Sequence, residues 1–150
     1  MDVNEMQIGG KHYQKSYQHW DFVCDTGMPY LLGCATKYPT RWKDKNGIED
    51  LRKCIHYIQK AKDCYIYMPG NKWYDLFTFE TTEHRISECT KAFVNQLGSQ
   101  EANIISAIVQ GNYGTAISLL NELIEETIEE DYAAEADGSY TNQDPTWFKG

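Results

Sequence analysis

The stretch NGIEDLRKCIHYIQKAKDCY, residues 46–65, places Ile48, Leu51, Ile55, Ile58 and Tyr65 at i, i+3, i+7, i+10 and i+17. A period near 3.6 over four turns predicts an amphipathic helix with one buried stripe. Asn46 followed by Glu49 predicts a capping box at its start, with Asn in place of the usual Ser or Thr. Asp50, Lys53 and Tyr57 fall at i, i+3 and i+7, on a second face beside the apolar one.

Moving upstream, DTGMPYLLGCATKY (25–38) reads as a turn at Asp25–Gly27 and then a helix begun by Pro29, with Leu31, Leu32 and Ala35 as its stripe. A shorter helix before it has Trp20, Val23 and Cys24 at helical spacing. Downstream, MPGNKWYDLF (68–77) is a turn and an aromatic run that divides the chain. TTEHRISECTKAFVNQLG (81–98) predicts a helix with Ile86, Cys89, Phe93 and Leu97 inward, Gly98 as its stop and His84 exposed near its start. Residues 99–132 read as two helices broken at GNYG (111–114), the second with Ile117, Leu120, Ile124 and Ile128 as its stripe. Its Glu-rich end opposes the helix dipole and is expected to fray. The reading is all-α: a compact helical domain over residues 1–70, an acidic C-terminal helical hairpin over 71–132, and a flexible tail over 133–150. The hairpin is expected to cover the stripe of Ile48, Leu51, Ile55 and Ile58 or to form an oligomer contact.

The 150 residues suffice for one domain and its core. No run of about 18 apolar residues exists, and MDVNEMQIGG has neither the basic nor the apolar region of a secretion signal. The expected setting is a cytoplasm, where the five cysteines, an odd number with no Cys-x-x-Cys pair, are reduced. Residues 1–75 carry 11 Lys/Arg against 9 Asp/Glu, whereas residues 76–150 carry 3 against 13. The acidic half disfavours stable nucleic-acid binding, but leaves room for a small anion in a local basic pocket. Such asymmetric halves also predict pairing between copies, hence a homo-oligomer.

The basic residues gather over 36–62. Lys37 and Arg41 are four apart, on one side of a helix, with Pro39 between them. A proline inside a helix costs about 3 kcal/mol, so one helix is expected to end at Tyr38 and another to begin at Pro39. The N–H groups of Thr40 and Arg41 would then face an anion bordered by Lys37. Against this stands a kinked helix with both cations in water. Lys43 and Lys45 follow as mobile phosphate contacts or solubility residues. Asp50 either pairs with Lys53 on the surface, orients Lys37 or Arg41, or binds a divalent metal. GGKHY (9–13) offers a small anion nest or a plain lead-in. His12, Tyr13 and Trp20 supply an imidazole and planes on which a base can stack. No P-loop is present.

KHY at 11–13, then GCATKYPTR at 33–41, a short basic loop and DLRKCIHY at 50–57 resemble a family of small phage proteins. Its pattern is HY, a spacer, G-x-x-x-K-Y-x-x-R, a basic loop and D-L-x-K-A-x-x-Y. The family is largely a domain of unknown function and includes nucleotide kinases of short-tailed coliphages that lack a P-loop and act on deoxynucleoside monophosphates. The resemblance covers residues 9 to about 60 and marks His12, Tyr13, Gly33, Lys37, Tyr38, Arg41, Lys43, Asp50, Leu51, Lys53 and Tyr57. Leu51 is assigned to the core and Gly33 to close helix packing. Pro39 and Cys54 depart from it, standing where the family has an apolar helix former and Ala.

The resemblance implies a phage-encoded nucleotide kinase, with ATP or another nucleoside triphosphate as donor. Lys37, Arg41 and Asp50 are then its catalytic residues. His12, Tyr13, Trp20, Tyr38, Lys43, Lys53 and Tyr57 are its substrate contacts, and no metal ligand is assigned. Two other readings stand beside it. One is a non-enzymatic binder that sequesters a host nucleotide or a nucleotide-derived defence signal. The other is an acidic protein that blocks a host enzyme.

Overall fold

The computed structural model describes residues 3–5, 16–65, 73–74 and 80–137. Among them are six α-helices and no strand: α1 (His19–Thr26), α2 (Tyr30–Arg41), α3 (Ile48–Cys64), α4 (Glu80–Val94), α5 (Ser99–Val109) and α6 (Tyr113–Ala136). The all-α reading holds. No described helix is long and apolar enough to cross a membrane.

The helices stack with a simple logic. α1 packs on α4, α2 on α5 and α3 on α6, while α2 lies along α3 and α5 along α6. Two layers of three helices therefore enclose one core, in which Phe22, Leu32, Leu51 and Ile58 meet Phe93, Ile104, Ile108 and Leu120. Phe22 and Phe93 stack face to face across the seam with ring centroids 4.4 Å apart. Gln96, just after α4, accepts a hydrogen bond from Tyr17 N (3.2 Å) and donates one to Tyr17 O (2.5 Å), which ties the lead into α1 to the other layer.

Gly27, at φ 66°, closes α1 in the left-handed conformation that glycine adopts without strain, and Pro29 is the N-cap of α2. The buried face of α1 is not the expected one. Phe22 and Thr26 are inside, Val23 is half-buried, and Trp20 and Cys24 are exposed. Thr26 can be buried because its Oγ1 donates to Phe22 O at 2.8 Å.

α2 does not break at Pro39. It runs on to Arg41, and Pro39 is buried. Lacking an N–H, Pro39 cannot donate to the carbonyl of Ala35, four residues back. The Cys54 thiol of α3 donates to that oxygen instead, at 3.2 Å. The two residues that depart from the phage pattern thus compensate one another. Gly33 is less constrained than expected. A Cβ there would lie 3.6 Å from Val23 Cγ1, an ordinary contact.

Three further expectations change. Gly47 rather than Asn46 caps α3, without a side-chain hydrogen bond. Gly98 does not stop α4, which ends at Val94; it is the N-cap of α5. α6 continues through its glutamates to Ala136, so the first residues assigned to a tail are helical. Its buried side is Tyr113, Ala116, Leu120, Leu123 and Ile124, with Ile117 and Ile128 half-buried.

Candidate functional site

The unbroken α2 sets the geometry of the basic cluster. Lys37 and Arg41 lie one turn apart, and each cation sits 5.2 Å from the centroid of the Tyr38 ring. That spacing suits a cation–π contact. Behind them stands Tyr57 of α3, its ring 5.7 Å from that of Tyr38. Burial, then the neighbouring Tyr57, pushes the Tyr38 phenol up to about 12, so it remains a neutral donor. Because α2 does not restart at Pro39, Thr40 and Arg41 lie in the last turn of a helix and not in the first. The expected contribution of the Thr40 and Arg41 N–H groups is absent.

Asp50 is completely buried, at 0 % exposure. Its Oδ2 lies 3.5 Å from Arg41 Nε, whose side chain is 15 % exposed. It also accepts from Asn46 N and Asn46 Nδ2, both at 3.4 Å. As the third residue of α3 it is in the helix's first turn, where the dipole favours a carboxylate. Of the partners open in the sequence, the one that Asp50 meets is Arg41. Lys53 points elsewhere; its Nζ is 3.8 Å from the half-buried Glu49 in an i, i+4 pair.

Lys43 lies outside this cluster. It follows α2 in a 3-10 turn (Trp42–Asp44), 3.6 Å from Glu101 of α5 and 5.5 Å from the centroid of the Trp42 ring. His12 and Tyr13 lie outside the described residues. Trp20 is 46 % exposed. Its position follows from the α1–α2 seam, where His19 meets Thr36 and a Cβ on Gly33 would meet Val23. These pairs run antiparallel, so the next residue on each helix, Trp20 and Lys37, turns to the same outer flank.

One residue of this region went unread in the sequence. His19 Nε2 lies 2.8 Å from Thr36 Oγ1, beside Lys37. The Thr36 hydroxyl also reaches Leu32 O at 2.8 Å. Its single proton serves that carbonyl, and His19 is the donor through Nε2. Burial, then Lys37 and Arg41, hold the imidazole at a pKa of about 4. The only sequence signal was a lone histidine at a helix start, and its partner lies 17 residues on.

A half-open groove of about 570 Å³ lies between α4 and α5, lined in part by His84, Ser87, Thr90, Lys91, Ser106 and Gln110. Lys91 there is 3.4 Å from Glu88, an exposed pair. The groove shares no residue with the basic cluster. We place the candidate site on the α1–α2–α3 face, where cations, an oriented carboxylate and aromatic rings converge. Among the described residues no group of three or more His, Cys, Asp or Glu is arranged to hold a metal ion. No family model matches the chain, and no curated protein or solved structure is significantly similar to it.

Proposed function

We propose that this chain is a nucleotide-binding protein in which the Lys37–Arg41 face of α2 takes the phosphate and exposed Trp20 offers a plane to the base. The observation that carries the reading is the buried Asp50 beside Arg41. A guanidinium paired with a buried carboxylate keeps its charge in a fixed place on this face, and a fixed planar cation suits the recognition of phosphate. The resemblance of residues 9 to about 60 to the phage nucleotide kinases supports the same ligand class. Phosphoryl transfer relies largely on positioning and charge stabilisation, so the reading extends to a kinase acting on a deoxynucleoside monophosphate with a nucleoside triphosphate donor.

The state of Asp50 favours a second reading, binding without turnover. Its oxygens are engaged by Arg41 and Asn46, which suits an orienting residue better than a general base. Sequestration of a nucleotide or nucleotide-derived signal needs no base.

Calorimetry with deoxynucleoside monophosphates tests the shared part. The folded Lys37→Met/Arg41→Gln double variant is expected to lose several kcal/mol, at about 1.5–3 kcal/mol per hydrogen bond to a charged group. Unchanged affinity overturns the site. Transfer of label from ATP to dTMP or dGMP then selects the kinase, and stoichiometric binding without transfer selects the binder.

A further inference from the structure

His19 borders the basic cluster, bonded through Nε2 to Thr36, the residue that precedes Lys37 on α2. The ring is held edge-on against Phe22 and Phe93, at centroid distances of 6.5 and 5.9 Å. Nε2–H is committed to Thr36, and Nδ1 has no protein partner among the described residues. The charges that bear on the ring come from α2, as Lys37 and Arg41. On α1 the nearby Asp21 accepts from Asn4 Nδ2 at 2.9 Å, and α4 turns the uncharged Phe93 toward the ring. Among the described residues the carboxylate of Asp50 is paired with Arg41, so the ring meets the two cations without an acid of its own and a neutral imidazole is the resting state.

A bound dianion would reverse that balance. It would cancel the repulsion from Lys37 and Arg41 and, on reaching Nδ1, would bring a strong acceptor against a lone pair. Accepting a proton at Nδ1 turns this repulsive contact into a charge-assisted hydrogen bond, while Nε2–H stays on Thr36. We propose that His19 is an anion contact of the α1–α2–α3 site, taking one proton from solvent onto Nδ1 when a doubly charged phosphate-like group binds. The proposal rests on the anion reading above, and it adds a regulation: affinity rises as pH falls.

The probe is inorganic sulfate, which remains a dianion throughout the range used, so ligand protonation cannot produce the effect. Sulfate affinity of the full chain is measured by calorimetry at pH 7.5 and pH 5.5, and the ring of His19 is titrated by NMR with and without sulfate. If the anion restores the ordinary imidazole pKa, binding at pH 5.5 is about tenfold tighter than at pH 7.5. The ring titration moves up from about 4, and His19→Gln brings the affinity ratio between the two pH values close to one. Equal wild-type affinity at both pH values, an unmoved ring titration in saturating sulfate, or an undiminished ratio in His19→Gln overturns the role of His19 but spares the anion site. Absence of sulfate binding at both pH values overturns the site and this role together. Should His19→Gln not fold, the wild-type ring titration decides alone.

Discussion

Asp50 and Glu101 hold the same helical position in opposite layers. Each is the third residue of its helix, each helix is capped by a glycine, and each carboxylate is buried. They do different work. Asp50 turns back within its own layer to Arg41 and Asn46, and so pairs with a cation of the basic half that is itself largely buried. Glu101 reaches across the seam, accepting from Trp42 Nε1 at 3.0 Å with Lys43 at 3.6 Å, and so joins the acidic half to the basic one. A buried acid with a same-layer partner shapes a surface; one with a cross-layer partner holds layers together.

Removing each acid separates the two roles. Asp50→Ala is expected to lose about 3–5 kcal/mol in urea unfolding, because it takes the buried carboxylate away from a largely buried guanidinium. Anion affinity should fall with it. A loss below 1 kcal/mol would mean that Arg41 finds solvent as readily as it finds Asp50. Glu101→Ala is expected to lose about 2 kcal/mol, chiefly the bond from the indole, since Lys43 is 69 % exposed and its pair is screened. Anion affinity should be unaltered by this change. A parallel drop in affinity would erase the distinction between the two acids.

Acid offers a gentler test on the same layer. The imidazole of His19 titrates near 4 in the folded chain and near 6.5 when unfolded. Between these values the unfolded state binds more protons, so stability is full above about pH 6.5 and declines as pH falls toward 4. The loss should reach about 2 kcal/mol at pH 5 and be missing from His19→Gln. Denaturant midpoints at pH 7 and 5 measure it, and an equal decline in both proteins would remove His19 as its source.

The smallest expected effect concerns Pro39. Cys54→Ala should lose about 1 kcal/mol, because it leaves the Ala35 carbonyl with neither an α-helical nor a thiol donor. In the Pro39→Ala background an N–H is restored at position 39, and the same substitution should cost less. Additivity in that double-mutant cycle would show that the thiol and the proline are unrelated.

These elements also show what the sequence could reveal. The α3 stripe was legible because period alone fixes it, and Ile48, Leu51 and Ile58 are buried. The buried face of α1 is hidden in the sequence because Thr26 is polar by composition yet satisfied by its own helix, a bond that spacing does not display. The continuation of α2 was unreadable for a different reason. The local penalty at Pro39 is relieved by a residue 15 positions away, on another helix. Gly98 reads as a stop in the sequence because glycine serves either end of a helix, and only ψ in the extended range marks it as a start. In the site, Lys37 and Arg41 were legible through their i, i+4 spacing. The partner of Asp50 was left open, and His19 was hidden because its role depends on Thr36 from the neighbouring helix.

The thiol at position 54 also gives the molecule a clock. Burial drives its pKa well above the ordinary range, and it is fully enclosed, so an alkylating reagent can reach a reactive thiolate only when α2 and α3 part. Cys24 and Cys64 are exposed and react at the speed of the reagent. In one mass spectrum their ratio to Cys54 therefore counts seam openings, and the slow rate converts directly into the free energy of separating the two helices that carry the cations.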